Sequence, residues 1–101
     1  MSSSFSNKDP NEIVLLTFDF TNALQPAETI SSASVDIELL YGADPGVSSM
    51  IEGAAIVSGA KVGQKVKNGL SGNTYNVCCT VNTSLSQVLI LNGSLHIEAV
   101  C

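Results

Sequence analysis

Gly69-Leu-Ser-Gly72, then Tyr75-Asn-Val77-Cys-Cys79-Thr-Val81, then Asn82-Thr-Ser84 is the stretch whose reading decides the fold. Side chains alternate along an extended strand, so Tyr75, Val77, Cys79 and Val81 share one face while Asn76, Cys78, Thr80 and Asn82 share the other. An apolar face backed by a polar one is the pattern of a half-buried strand in an antiparallel sheet. The glycines before it mark a tight turn. Tyr75 stands just past the corner, where its hydroxyl is expected to bond back to nearby backbone, as in a tyrosine corner.

The same two-residue period recurs outward from this stretch. Val14, Leu16, Phe18 and Phe20 alternate with Ile13, Leu15, Thr17 and Asp19, and apolar residues on both sides near the start predict a second face covered by the chain itself or by a partner. Thr29-Ile30-Ser-Ser marks a further strand, followed by Val35, Ile37 and Leu39 alternating with Asp36, Glu38 and Leu40. Tyr41-Gly-Ala-Asp44-Pro45-Gly46 is turn chemistry, and Val47 to Ile51 reads equally as a short helical turn or an irregular edge. Ala55 to Val57 and Val62, Gln64 and Val66 form further strands around Gly59. Val88 to Leu91 and Leu95, Ile97 and Ala99 form the last, with a parity change across Asn92-Gly93 that predicts a bulge or kink.

About seven short strands with turn signals between them predict an all-β fold, an immunoglobulin-like antiparallel β-sandwich. Its expected core is Phe18, Phe20, Val35, Ile37, Tyr75, Val77, Cys79, Val81, Leu95 and Ile97. Trp is absent from the chain, so an antibody-type domain with its buried Trp is excluded. The expected organisation is a flexible N-terminal arm at residues 1–11, with Phe5 as the anchor if it orders against a neighbouring subunit, and a single sandwich domain at 12–101.

Hydrophobic residues make up 45% of the 101 residues and charged residues 13%, too apolar for intrinsic disorder and weakly enough charged to favour contact with neighbours. A net charge of −5 with no Arg argues against nucleic acid as a partner. No apolar run approaches the ~20 residues needed to cross a bilayer, and Met1 to Asn7 lacks the basic start and apolar middle of a signal peptide. Synthesis in the cytoplasm without export, and no membrane partner, are the corresponding expectations.

No catalytic or metal site assembles from the sequence, and no cofactor is expected. The single histidine, His96, falls on the outward parity beside Leu95 and Ile97, and Cys78, Cys79 and Cys101 have no chelating spacing with it. Cys78 and Cys79 point to opposite faces, so a bridge between them is excluded without distortion. Asp36 and Glu38 share a face, where solvated charges that discourage aggregation account for them. Lys61, Lys65 and Lys67 hold three of the four cations on one strand face, which reads either as a lysine-guarded edge strand or as a docking stripe for an acidic partner.

Three stretches, Lys8-Asp-Pro-Asn-Glu12, Phe18-Asp-Phe-Thr21 with Leu24 and Glu28-Thr-Ile-Ser-Ser32, and Gly69 to Ser84, together resemble the phage fibre-tail adaptor proteins, small virion tail proteins. The chain departs from that pattern at Leu85-Ser-Gln87 and lacks an aromatic near Asn22 to Leu24. The resemblance implies an immunoglobulin-like sandwich without enzymatic activity, located in the virion, joining tail or head-tail connector components in a homo-oligomeric ring. Phe5, Lys61, Lys65 and Lys67 are then the candidate protein-protein contacts. The alternative is an immunoglobulin-like module binding cell-surface glycan or receptor, which the 5% aromatic content disfavours.

Overall fold

In the computed structural model, which describes residues 2–5, 7–44 and 46–99, the period-two stretches are strands. They are β1 (Ser2–Ser4), β2 (Val14–Asp19), β3 (Ile30–Tyr41), β4 (Ile51–Ser58), β5 (Lys61–Val66), β6 (Thr74–Thr83) and β7 (Val88–His96), with a 3-10 turn at Val47–Met50. Two antiparallel sheets of three strands, β3-β6-β7 and β2-β5-β4, pack face to face as a sandwich. Six strands are therefore antiparallel, and β1 lies parallel to β7 at the edge, with Ser2–Ser4 opposite Asn92–Ser94. β3 is 12 residues long, about 40 Å at ~3.3 Å per residue, which accounts for the 45 Å long axis of a body only 21 Å across.

β6 is a central strand between β7 and β3, and its Tyr75, Val77, Cys79 and Val81 are fully buried. Phe18, Phe20, Val35, Leu95 and Ile97 are buried with them, and Ile37 is half-buried against this core. Met50, Leu16, Ile30, Val62 and Val66 complete the layer between the sheets. Truncating one of these to Ala costs about 2–5 kcal/mol, through lost transfer energy and the cavity left behind.

The corner at Tyr75 is present and larger than the sequence suggests. Its hydroxyl accepts from Leu70 N–H (3.1 Å) and Asn73 Nδ2 (3.2 Å) and donates to Asp44 Oδ2 (2.7 Å). Burial raises the pKa of the Tyr75 hydroxyl, with the bonds from Leu70 and Asn73 acting in the opposite direction.

Other expectations need correction. Thr29 to Leu40 is one continuous strand from Ile30, with register irregularities at Ile30/Ser32 and Leu39/Tyr41. The bulge expected at Asn92-Gly93 is absent, and β7 pairs with β6 in unbroken register from Val88 to His96. Odd positions face inward throughout, and Gly93 keeps the inward parity without a side chain because the Phe5 ring occupies that space: a Cβ there would lie 2.7 Å from Phe5 Cε2. Val88 and Ile90 are simply apolar residues on the outer face.

The lysine-guarded edge is also overturned, since β5 is the central strand of its sheet, between β2 and β4. Strand order is fixed by pairing between distant segments, so a lysine row does not by itself mark an edge. The bulge in the smaller sheet falls in β4 between Glu52 and Ile56, with Gly53 at φ 74. Buried Gln64 serves it, donating from Nε2 to the carbonyls of Glu52, Gly53 and Lys65.

The stretch expected as an arm is hydrogen-bonded to its own sandwich at several points. Phe5 N–H donates to Ser94 O, Lys8 N–H to His96 O, and Glu98 N–H to Lys8 O. Phe5 meets Phe18 edge-on at 5.5 Å between ring centroids, so its anchorage here is intramolecular. The Lys8 side chain is buried, and its Nζ donates to Asn68 O (2.7 Å) and Asp9 O (2.9 Å). Burial lowers its pKa, while the charges of Glu12 and Asp9 oppose that shift.

Candidate interaction surface

The inward parity of β2 and β5 consigns Leu15, Thr17 and Asp19, and Lys61, Gly63 and Lys65, to the outer face of the smaller sheet. In register, Leu15 stands opposite Lys65, Thr17 opposite Gly63 and Asp19 opposite Lys61. On the other side of β5, Glu52, Ile56 and Ser58 stand opposite Lys65, Gly63 and Lys61. Gly63 forms the floor between Leu15 and Ile56, and a Cβ on it would meet Leu15 Cδ1 at 3.1 Å. Leu15 is 57% exposed and Ile56 58%, with Ile13 exposed beside them. No described part of the chain covers this apolar strip.

Lysines border it. Lys67, just past β5, pairs with Glu52 at 3.3 Å, whereas Lys61 and Lys65 form no salt bridge among the described residues. Asp19 is held by Thr21, accepting from its hydroxyl and N–H, and these bonds, together with the charge of Lys61 opposite it, lower the Asp19 pKa. Of the sequence-derived contact residues, Lys61 and Lys65 are exposed on this face, Lys67 sits half-exposed at its margin, and Phe5 lies away from it against Phe18 and Gly93.

The outer face of β3-β6-β7 is polar and acidic. Asp36 and Glu38 stand opposite Cys78 and Asn76, and Asn76 donates to Glu38 Oε1 and accepts from Asn92 Nδ2. At one end of β7, Val88 (61% exposed) and Ile90 (58%) break the polar run. The sequence carried this signal in their even numbering, read above as a parity change. His96 is half-buried on this face, its ring nitrogens bonded to Thr74 Oγ1 and Glu98 Oε2. Cys78 is half-buried there, Cys79 is buried in the core with its thiol pKa pushed up to about 11, and Cys101 lies outside the described residues. No group of three or more metal-ligating side chains converges among the described residues.

The family model described as podophage GP4 fiber-tail adaptor protein gp77 matches residues 8–95. The chain belongs to this family. No curated protein matches it. The match begins at the buried Lys8 and ends at Leu95, so it takes in both sheets and both outer faces. All three stretches quoted above lie within it, as do Leu15, Ile56, Lys61, Lys65, Val88 and Ile90. No helix among the described residues is long and apolar enough to cross a membrane.

Proposed function

We propose that this chain is a non-enzymatic structural protein of a phage virion, an adaptor or connector in the tail or head-tail region that acts by docking to other virion proteins. The family match over residues 8–95 carries this reading. The surface supports it: a charge-poor sandwich leaves the Leu15–Gly63–Ile56 strip uncovered between the exposed Lys61 and Lys65. Apolar centres with polar rims are characteristic of docking surfaces. In this reading the sandwich is immunoglobulin-like, its strands over 12–101 form one domain, and copies assemble as a homo-oligomeric ring made in the host cytoplasm. Lys61, Lys65 and Lys67 are contact residues, and Phe5 contributes by fixing β1 along β7.

Quantitative mass spectrometry of purified virions tests the assignment. The chain is expected in a fixed ratio to tail proteins, retained after a high-salt wash. Its absence from infective particles would overturn the reading.

A further inference from the structure

The free side of β7 is closed along only part of its length. Where the N-terminal stretch runs beside it, the inward side chains are covered: Leu95 and Ile97 are 0% exposed, and the Phe5 ring fills the space over Gly93. Before Asn92 that cover is missing. Leu89 and Leu91 keep the inward parity and touch the core, yet both stay only half-buried. Between them and the end of β2 lies a groove of about 280 Å³, walled by Leu89, Leu91, Phe20 and Ala23, with Asp19 beside them.

Backbone groups are uncovered at the same place. Ile97 N–H donates to Asn73 O on the β6 side, whereas Ser94 O and His96 O accept from Phe5 and Lys8 on the other side. This alternation runs the length of an antiparallel pair, so Val88 and Ile90 direct their N–H and C=O away from β6. No described segment pairs with them there. Edge strands are normally guarded by charge, Pro or a bulge. Gln87-Val-Leu-Ile-Leu91 carries none of these.

We propose that this gap seats a short extended segment of another virion protein, which adds a strand to β7 in line with β1. The proposal rests on the adaptor role and names one surface through which it acts. Phe5 is the internal pattern for the occupant, since its N–H bonds β7 while its ring enters the seam against Phe18. An incoming segment does the same further along, its backbone bonding Ile90 and Val88 and an apolar side chain entering the groove beside Phe20. Its chemistry is therefore an extended backbone with alternating side chains, apolar on the inward side. Each described strand of the chain already has its place in a sheet, and the gap spans four residues between β1 and the turn at residues 84–86. A gap this short admits a free peptide segment more readily than the edge of a second folded sandwich.

NMR of the full chain tests this, with a blocked pentapeptide, Thr-Leu-Thr-Phe-Thr, as the probe. In the free chain the Ile90 amide is expected to exchange rapidly, while those of Leu89 and Leu91, turned toward β6, are protected. Peptide at about 1 mM is expected to protect Ile90 and to shift the signals of Leu89, Leu91 and Ala23. Ile90→Pro removes the outward N–H and leaves the β6 ladder intact, and should weaken binding about tenfold, whereas Ile90→Thr should not. N-methylation of the peptide's Leu and Phe, whose N–H groups face β7 in the register of Phe5, should weaken it similarly. Should Ile90→Pro fail to fold, Ala23→Leu, at an exposed turn position, narrows the groove and is expected to weaken binding in its place. An Ile90 amide already protected in the free chain, or protected only as protein concentration rises, would overturn the proposal. So would no binding, or binding indifferent to N-methylation. The adaptor assignment fails separately, if the chain is missing from virions.

Discussion

The Tyr75 hydroxyl donates to Asp44 Oδ2 at 2.7 Å, joining the turn after β3 to the start of β6. The same oxygen accepts from Leu70 N–H, so one hydroxyl fixes two loops at one end of the sandwich. Tyr75→Phe deprives a carboxylate of a donor and leaves Leu70 N–H unpaired in a partly buried place. The expected loss is about 1.5–3 kcal/mol, since bonds to charged groups exceed the neutral average. Urea denaturation reads this loss, and an unshifted midpoint would refute the corner.

Gly42 is left-handed at φ 108, and a Cβ on it would lie 1.9 Å from Asn73 Oδ1. Asn73 Nδ2 in turn donates to Ala43 O and to the Tyr75 hydroxyl. Gly42→Ala therefore displaces a member of the Tyr75 network and forces an unfavourable backbone, costing about 2 kcal/mol or more. Combined with Tyr75→Phe, the losses should be less than additive, because both act on one network. Strict additivity in a double-mutant cycle would show that the two sites are independent.

Cys79 gives stability a defined alkaline dependence. Burial raises its thiol from the ordinary 9.0 to about 11, so the unfolded chain releases this proton first as pH rises. The stabilising contribution is complete below about pH 9 and is lost as pH rises through about 11, amounting to about 2–3 kcal/mol. The raised Tyr75 pKa acts in the same direction above its ordinary value of 10.0. Cys79→Ala should flatten the slope of unfolding free energy between pH 9 and 11 relative to wild type, whatever its effect at neutral pH. An identical slope would contradict the assignment.

Lys8 ties the N-terminal stretch to the loop after β5 through Asn68 O, a bond spanning 60 residues of chain. Lys8→Met keeps the buried stem and removes the ammonium, leaving that carbonyl without its donor. A loss of about 1.5–3 kcal/mol is expected, with faster amide exchange at Phe5 and Glu98, whose N–H groups bond across the same seam. Exchange unchanged at both amides would show that the seam does not depend on Lys8.

The face of β6 was legible because alternation is a local property of Tyr75 to Val81, and the absence of a competing period left one reading. Strand order was not. Lys61, Val62 and Lys65 look the same whether β5 is central or at an edge, and only pairing with Leu15 and Ile56 decides it. The apolar strip was half visible: Ile13 and Leu15 showed a second apolar face, but its floor at Gly63 and far wall at Ile56 come from two other strands. Lys8 was read as part of a family motif, and nothing local signals that its charge is buried against a carbonyl 60 positions away.

The central claim, that the chain joins parts of a phage tail, is tested most directly by deleting its reading frame from the phage genome and supplying the chain in trans or withholding it. Electron microscopy and infectivity of the particles are the readouts. Particles made without the chain should have incomplete tails and be non-infective, and the wild-type chain should restore both. Complete and infective particles formed in its absence would contradict the account.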